Sequence, residues 1–494
     1  MSEFVGRTDE LATVDTIWQS NKASLIILYG RRRVGKTRLL SYWLQSKGRG
    51  QGLYWMAEAT AAFDQLSSFA QALTAFETPG IDIPPDLSYP NWQYALQRIA
   101  ALAQNRRIAI FIDEVTYLMD VNPDFVPILQ KAWDHHLSNS NIMLALCGSQ
   151  MGMIQKHLLA YDAPLFGRAT VQMKLQPLRF FTTREFFPDY TAAERVTIYS
   201  IWGGVPAYWE RLNADLTISD NLKNLLKPSN TWMLEEAKLL LQDFMNDPHN
   251  YVGIMRAIAQ GAQVYGEISK RTGLSTGHTS RYLSLLRDTG FVTRRLPVTE
   301  TNPDSRRGRY YMTDAYLRFH YRFLSQYQSK LALGHQAQLL STIEEDLPEF
   351  IRHNTWPELC QEWLLSASAQ DELPIPLEEV GAEWKRSFLI DVVGISRDDK
   401  SLVLGACYWQ EAPLSLYKLK ELLELTKQVV PREDGWTVYY VCFAATPWLT
   451  DLQEQATKMV QSKSRRQPWQ TAGVRLVDLE TMDGDFARWY AAES

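Results

Sequence analysis

Cysteine is scarce in this sequence of 494 residues, and no two cysteines form a CxxC pair. The four that occur are far apart, at Cys147, Cys360, Cys407 and Cys442. This spacing argues against a zinc knuckle or a disulfide framework. Apolar runs stay under ten residues, too short to cross a membrane, and the segment MSEFVGRTDE lacks a signal-peptide core. We therefore expect a soluble protein in a reducing cytoplasm, with no membrane contact.

An excess of basic charge is also absent. Lys and Arg total 51 against 56 Asp and Glu, so the formal charge is −5. This balance argues against a uniformly basic nucleic-acid coat protein but leaves room for a local basic patch. Hydrophobic residues make up 46% and charged residues 22%, which is typical of a folded globular chain. At roughly 150 residues per domain, the length predicts about three domains.

Residues 24 to 40, SLIILYGRRRVGKTRLL, have the pattern of a strand, a loop and the start of a helix. Within them, GRRRVGKT at 30 to 37 fits the phosphate-binding pattern GxxxxGK followed by Ser or Thr. Backbone amides near Gly30 and Gly35 would point at phosphates, and Lys36 would reach the β and γ phosphates. Thr37 would supply an oxygen to Mg²⁺. The alternative is a surface turn bounded by glycines.

Two acids follow a second apolar run, IAIFIDE at 108 to 114. Asp113 would hold Mg²⁺ and Glu114 would polarise an attacking water, unless the strand merely ends at a charged turn. A third run, IMLALC at 142 to 147, places Ser149 at the sheet edge as a candidate γ-phosphate sensor. Further strands at 53 to 57 and 170 to 175 complete five strands of a three-layer α/β core with a parallel sheet.

Six motifs occur in order: FVGRTDEL at 4 to 11, YGRRRVGKT at 29 to 37, FIDE at 111 to 114, CGSQ at 147 to 150, PLFGR at 164 to 168 and GGVPAYW at 203 to 209. With these motifs the chain resembles the archaeal-type ATPases of the STAND class, a branch of the AAA-like P-loop NTPases. The resemblance is strong over about residues 1 to 325 and weaker beyond.

This resemblance implies ATP and Mg²⁺ as ligands. It places the box from Phe4 to Arg7 beside the adenine, makes Arg168 a sensor of phosphate charge, and puts Pro206 in an element that couples nucleotide state to a helical lid. Otherwise Arg168 is a solvated side chain and Pro206 part of a tight turn. The expected nucleotide contacts are Phe4, Val5, Gly6, Arg7, Gly30, Arg33, Gly35, Lys36, Thr37, Arg38 and Pro206. The expected catalytic residues are Lys36, Glu114, Ser149 and Arg168, with Thr37 and Asp113 at the metal.

Residues 265 to 330 carry twelve Lys or Arg against five Asp or Glu, a charge of +7 that leaves −12 on the remaining chain. Apolar spacing around Gly273 predicts a helix-turn-helix, and VTRRLP with RRGRYYMT predicts the two strands of a wing. Expected nucleic-acid contacts are Ser275, Thr276, Thr279, Ser280 and Arg281 in the second helix and Arg294, Arg295, Arg306, Arg307 and Arg309 in the wing. The alternative, suggested by the resemblance, is an intramolecular lock or protein-docking surface, whose basic face meets an acidic neighbour.

From about residue 335 the order of helical and extended stretches resembles the nuclease-like domain that ends many of these ATPases, a relative of the restriction-endonuclease fold. Cleavage in that fold needs an acid on one strand and an acid plus Lys on the next. Asp391 fills the first place, but Ala406, Cys407 and Tyr408 occupy the second. Glu358, Glu362 and Glu383 could serve as spare acids, and Lys385, Lys418 or Lys420 could replace the lost lysine, although each of these six residues is of a type that is more often solvated. We expect a degenerate site at Glu383 and Asp391, on a scaffold kept for binding or assembly.

The sequence thus predicts a P-loop ATPase core at 1 to 180, a helical lid at 181 to 250, a winged helix-turn-helix at 251 to 325 and a restriction-endonuclease-like α/β domain at 335 to 494. The favoured function is an ATP-hydrolysing switch that repositions the winged helix and the nuclease-derived domain, on DNA or in a signalling or defence assembly. A homo-oligomer or partner protein would bind through the last domain. Two alternatives stay open. An ATP-regulated nuclease is disfavoured by Ala406 and Tyr408, and a DNA-binding regulator with a structural ATP site is disfavoured by Glu114.

Overall fold

A computed structural model describes residues 4–46, 50–242, 249–409, 416–464 and 468–490. The chain divides into two compact units. The first contains the described residues up to Leu178 together with Gly204–Arg211, and the second contains Arg179–Gly203 and the described residues from Leu212 onward. The bounds of the four predicted domains stay predictions.

The helices up to residue 211 are α1 Thr8–Gln19, α2 Lys36–Ser46, α3 Ala62–Glu77, α4 Trp92–Asn105, α5 Val115–Val121, α6 Phe125–His135, α7 Met151–Ile154, α8 Thr183–Phe186, α9 Ala192–Trp202 and α10 Pro206–Trp209. The later helices are α11 Ile218–Leu225, α12 Trp232–Gln242, α13 His249–Ala259, α14 Tyr265–Thr272, α15 Thr276–Asp288, α16 Ala315–Phe319, α17 Gln328–Ala332, α18 Gln336–His353, α19 Thr355–Ala369, α20 Tyr417–Val429, α21 Leu452–Ser464 and α22 Leu479–Trp489. Among the described residues no helix is both long and apolar enough to cross a membrane.

The strands are β1 Ser24–Tyr29, β2 Gly52–Met56, β3 Ile108–Asp113, β4 Ile142–Gly148, β5 Val171–Lys174, β6 Val292–Arg295, β7 Arg309–Met312, β8 Glu379–Trp384, β9 Leu389–Ser396, β10 Ser401–Tyr408, β11 Thr437–Ala444 and β12 Gln470–Asp478. They form one five-stranded sheet in the first unit, a second five-stranded sheet near the C-terminal end of the chain, and the two-stranded ribbon β6–β7.

The first unit is built on a parallel sheet in the order β2-β3-β4-β1-β5. Strands β3 and β4 are buried along their whole length, which explains their unbroken apolar sequences, because helices cover both faces of a parallel sheet. One face carries Ile108, Ile110 and Ile112, and the other carries Ala109 and Phe111. The predicted five-stranded α/β core is confirmed, and the carboxyl ends of β1, β3 and β4 meet at one edge.

The winged helix-turn-helix lies in the second unit. Helix α14 ends at Gly273, and Ser275 caps α15 by accepting a hydrogen bond from the amide of His278. Ile268, Leu283 and Leu286 bury the apolar faces of the two helices, as their spacing predicts. Strands β6 and β7 pair antiparallel and form the wing.

The sheet near the C-terminal end has the order β12-β11-β10-β9-β8. Strands β8, β9 and β10 are antiparallel neighbours, and β11 and β12 run parallel to β10. The stretch EWKRSFLIDVVGI at 383 to 395 does not form one continuous strand but is divided between β8 and β9. The amide of Lys385 donates to the carbonyl of Phe388 and closes a turn between β8 and β9. The polar residues KRS within the stretch occupy that turn.

Candidate nucleotide site

The loop between β1 and α2 needs its two glycines for different reasons. A Cβ on Gly30 would lie 2.4 Å from the carbonyl oxygen of Leu175, so a larger residue would collide with the backbone that follows β5. Gly35 has φ +103°, a conformation that L side chains rarely adopt. Arg33 also has positive φ, at 68°. The resulting compact loop ends at the N-terminus of α2, whose free amides favour anions.

The Lys36 side chain is buried within this loop. It is only 5% exposed, and its ammonium donates hydrogen bonds to the carbonyls of Gly30 at 3.0 Å and Arg31 at 3.1 Å. A buried ammonium needs such partners because its removal from water is costly. The loop therefore holds a positive charge at the position where the sequence predicts phosphate binding.

Asp113 is fully buried at the end of β3 and accepts several hydrogen bonds. Its Oδ2 accepts from the hydroxyls of Thr37 at 2.6 Å and Tyr54 at 2.5 Å, while its Oδ1 accepts from the amide of Glu114 at 2.8 Å. Burial alone would raise the pKa of Asp113, but these donors and the Cys147 thiol hold the pKa below its usual range. The carboxylate stays ionised and oriented.

Glu114 lies one residue further, at the turn between β3 and α5. Its φ of 49° is unusual for a residue with a side chain, and such strain often marks functional positions. Its Oε2 accepts from the Ser149 hydroxyl at 2.9 Å and from the Ser149 amide at 3.3 Å. Burial raises the pKa of Glu114, against the opposing charge of Lys36 and the hydrogen bonds from Ser149. The structure thus brings together three of the predicted catalytic residues.

The donor set fits Mg²⁺. The Thr37 hydroxyl and the Asp113 carboxylate are hard oxygen donors, which this ion prefers, and they already touch each other at 2.6 Å. Lys36 would neutralise phosphate charge on the same side of the site. The oxygens that complete a magnesium coordination sphere would come from the nucleotide phosphates and water.

The N-terminal box also packs against the phosphate loop. Phe4 stacks on Tyr42 of α2 with ring centroids 4.3 Å apart. The guanidinium of Arg7 donates to the carbonyls of Val34 at 3.1 Å and Gln176 at 2.6 Å and pairs with Glu10 at 3.0 Å. Arg7 therefore ties the loop to the chain after β5. The adenine-side role of Phe4, Val5, Gly6 and Arg7 stays a prediction.

The segment Gly204–Arg211 contacts the phosphate loop within the first unit, with Pro206 as the first residue of α10. The guanidinium of Arg31 donates to the hydroxyl of Tyr208 at 3.0 Å and lies 5.2 Å from the centre of its ring. Arg38 forms an ion pair with Glu210. The sequence motifs indicate a role for Pro206 but not for Tyr208 or Glu210, because nothing along the sequence shows that these two side chains contact Arg31 and Arg38.

Arg168 has partners outside the phosphate loop. It forms a two-point ion pair with Asp134 at the end of α6, with N to O distances of 2.7 and 2.8 Å, and also donates to the carbonyls of Pro164 and Phe166. In this arrangement its guanidinium stabilises the turn that precedes β5. A role in sensing phosphate stays a prediction.

Helix α15 presents part of its predicted contact surface. Ser275, Thr276, Ser280 and Arg281 are exposed. Thr279 is fully buried, and its hydroxyl donates to the carbonyl of Ser275. The prediction that Thr279 contacts nucleic acid is therefore wrong, because its side chain belongs to the core of the helix-turn-helix.

The wing arginines have intramolecular partners. Arg307 donates to the buried carboxylate of Glu383 at 2.6 Å and to the carbonyl of Trp384 at 2.5 Å. Arg309 lies over the Trp384 ring, 5.0 Å from its centre. The Val298 amide donates to the carbonyl of Ala382 at 2.9 Å, so the wing loop follows the backbone of β8.

Arg295 and Arg294 of the wing also have partners within the protein. Arg295 pairs with Glu358 of α19 at 2.8 Å, and Arg318 of α16 pairs with the same carboxylate at 2.8 Å. Arg294 donates to the carbonyls of Pro303 and Ser305 inside the wing, and Arg306 is exposed. Of the five wing arginines, Arg294, Arg295, Arg307 and Arg309 therefore have partners within the protein that differ from the predicted phosphates.

The two acids of the predicted degenerate nuclease site also have different surroundings. Glu383 is 1% exposed and accepts hydrogen bonds from Thr299 and Arg307. Asp391 instead lines a cavity of about 430 Å³ that Glu358 also lines, and burial raises the pKa of Asp391. Glu383 is thus paired with Arg307, whereas Asp391 lines the cavity.

Comparisons with known protein families match three parts of the chain. Residues 4–212 match the family described as an ATPase domain predominantly from Archaea. This match includes the phosphate loop, Asp113, Glu114 and Ser149. Residues 250–296 match the IclR helix-turn-helix domain, and residues 320–422 match a family of archaeal and bacterial proteins of unknown function.

Among individual proteins, an uncharacterized protein of Methanocaldococcus jannaschii is 28% identical over 410 residues, which cover 83% of this chain and 88% of the relative. An uncharacterized ATP-binding protein of the same organism is 57% identical over 44 residues, 9% of this chain and 75% of that protein. The solved Walker-type ATPase of Pyrococcus abyssi matches with a TM-score of 0.49 and 18% identity, covering 65% of this chain and 96% of that structure.

Proposed function

We propose that the protein is a switch that binds ATP and hydrolyses it in a Mg²⁺-dependent reaction. The observation that carries this proposal is the pairing of two carboxylates with separate duties at one edge of the sheet. Asp113 is ionised and bound to Thr37, while Glu114 has a raised pKa and is held by Ser149. A site that only binds nucleotide has no need for the second acid.

Each residue then has a task in hydrolysis. Lys36 would exchange its loop carbonyls for phosphate oxygens, and Thr37 with Asp113 would hold Mg²⁺, which would supply neutralisation of the phosphate charge. Glu114 orients the attacking water and accepts a proton from it, for which a pKa nearer neutrality is favourable. Ser149 donates a hydrogen bond to Glu114 in the free protein. Its hydroxyl could donate to the γ-phosphate instead.

The test is ATP binding and turnover of the full chain, with and without duplex DNA, for the wild type and Lys36→Ala. We expect Mg²⁺-dependent turnover in the wild type and loss of both binding and turnover in the variant. Turnover that Lys36→Ala leaves unchanged would contradict the proposal. Stimulation by DNA would connect the two units functionally.

For the second unit we propose that nucleotide state controls access to the winged helix, which acts on DNA through α15. Exposed Arg281 supports this role, whereas the wing lies against Glu358 and Glu383, two acids that take the place of phosphates. Release of the wing from these acids would enlarge the basic surface. DNA binding that weakens steeply with salt would support phosphate contact, and binding independent of salt would contradict it.

We also propose that the chain belongs to the STAND class and that its region from β8 to β12 is a nuclease-derived scaffold without cleavage activity. Three antiparallel strands followed by α20 and the parallel strand β11 agree with that origin. Ala406, Cys407 and Tyr408 are buried, and the ammonium of Lys418 lies 4.8 Å from the Tyr408 ring centre. Mg²⁺- or Mn²⁺-dependent cleavage of DNA that disappears in Asp391→Ala would contradict this proposal.

A further inference from the structure

We propose that Tyr54 is a positioning residue for Mg²⁺, whose hydroxyl holds the Asp113 carboxylate in the orientation that receives the ion. The proposal rests on the proposed ATP site and adds a residue outside its motifs. It starts from one contact, the hydrogen bond of 2.5 Å from the Tyr54 hydroxyl to Asp113 Oδ2.

The sheet register brings Tyr54 to this position. Strand β2 lies beside β3, and Tyr54 is the direct partner of Phe111. Side chains two residues apart on a strand share a face, so Tyr54, Phe111 and Asp113 lie on the same side of the sheet. The phenol then spans the remaining distance to the carboxylate at the end of β3.

Two hydroxyls, those of Thr37 and Tyr54, donate to Asp113 Oδ2. They differ in their expected relation to Mg²⁺. Thr37, whose hydroxyl donates to Asp113 at 2.6 Å, would itself supply an oxygen ligand to Mg²⁺. Tyr54 is no expected ligand and can keep its hydrogen bond throughout. The hydrogen bond from Tyr54 can therefore orient the Asp113 carboxylate both before and after Mg²⁺ binds.

The burial of Asp113 makes each of its hydrogen bonds important. The carboxylate is fully buried, so its oxygens need protein donors in place of water. The Tyr54 and Thr37 hydroxyls donate to Oδ2, and the Glu114 amide donates to Oδ1. Loss of the Tyr54 hydroxyl removes one of these donors and should therefore weaken Mg²⁺ binding.

The experiment compares Tyr54→Phe with Tyr89→Phe in the full chain. Both changes remove only a hydroxyl, and Tyr89 contacts Thr74, away from the phosphate loop. The Mg²⁺ concentration for half-maximal ATP turnover should rise roughly tenfold in Tyr54→Phe, as expected for a lost hydrogen bond to a charged group. Tyr89→Phe should match the wild type, and affinity for a fluorescent ATP analogue without Mg²⁺ should stay unchanged in both variants.

A second readout separates this inference from the proposed function. The gain in nucleotide affinity on adding Mg²⁺ is measured by binding alone. If the wild type binds nucleotide without hydrolysing it, the proposed function fails, but this gain still tests Tyr54. A Mg²⁺ dependence in Tyr54→Phe equal to that of the wild type would overturn the inference, as would an equal loss of affinity without Mg²⁺.

Discussion

The nucleotide site and the wing were both predicted from short runs of polar residues, yet their side chains meet different partners. In the nucleotide site, Lys36 donates to a carbonyl of the phosphate loop, and Thr37 donates to Asp113. In the wing, Arg307 and Arg295 contact Glu383 and Glu358 of the same chain. A motif whose spacing encodes its own contacts can be interpreted from sequence, whereas a count of charges cannot identify the partner of each charge.

The largest effect should follow from breaking the wing contact. Arg307→Ala leaves Glu383 buried with Thr299 as its remaining hydrogen-bond donor among the described residues. The free energy of unfolding should fall by about 2 kcal/mol, less than for a fully buried pair because Arg307 is 34% exposed. Urea denaturation measures this loss, and Arg306→Ala is the control because Arg306 is exposed.

The double variant Arg307→Ala with Glu383→Gln sharpens this measurement. Since the amide carries no charge to leave unpaired, the double variant should be more stable than Arg307→Ala alone. Equal stability of Arg307→Ala and Arg306→Ala would show that the wing contact contributes nothing, and the contrast between the two regions would disappear.

DNA binding tests the same contrast with a smaller effect. Arg281→Ala should weaken duplex binding several-fold and reduce the slope of log affinity against log salt by about 1, because one phosphate contact is lost. Arg307→Ala should leave the slope unchanged under conditions where the variant is folded. If Arg307→Ala lowers the slope as much as Arg281→Ala does, the wing binds phosphates and the intramolecular pairing does not persist on DNA.

The smallest effect concerns the pH dependence of turnover. Burial raises the pKa of Glu114, so activity should fall on acidification at a pH above the usual range of glutamate. Ser149 stabilises the carboxylate with two hydrogen bonds and so lowers this pKa. Ser149→Ala should move the acid limb of the turnover profile to higher pH, by about one unit or less. A shift to lower pH would contradict this assignment.

Sequence patterns predicted the five strands of the first sheet, because continuous apolar runs mark buried parallel strands. They also predicted the phosphate loop and the acid pair, whose contacts are set by neighbours in the chain and by strand ends. Tyr54 was missed because its role depends on β2 lying beside β3, an order that the sequence does not state.

The second unit was harder to predict. Thr279 follows the exposed Thr276 in α15, and helical spacing alone does not show which of the two faces the core. The sequence does not indicate the hairpin between β8 and β9, because apolar residues continue on both sides of its short turn. The ion pairs of Arg307 and Arg295 join residues 76 and 63 positions apart, so only the folded structure reveals them.

The most direct test of the central claim is the turnover of Glu114→Gln beside its affinity for ATP. The glutamine keeps the size of the side chain and can still contact Ser149, but it cannot accept a proton. We expect Mg²⁺-dependent turnover to fall by at least about 100-fold while the affinity for ATP stays near that of the wild type. Turnover close to the wild-type rate in Glu114→Gln would contradict the account, because Asp113 and Lys36 would then suffice without a second acid.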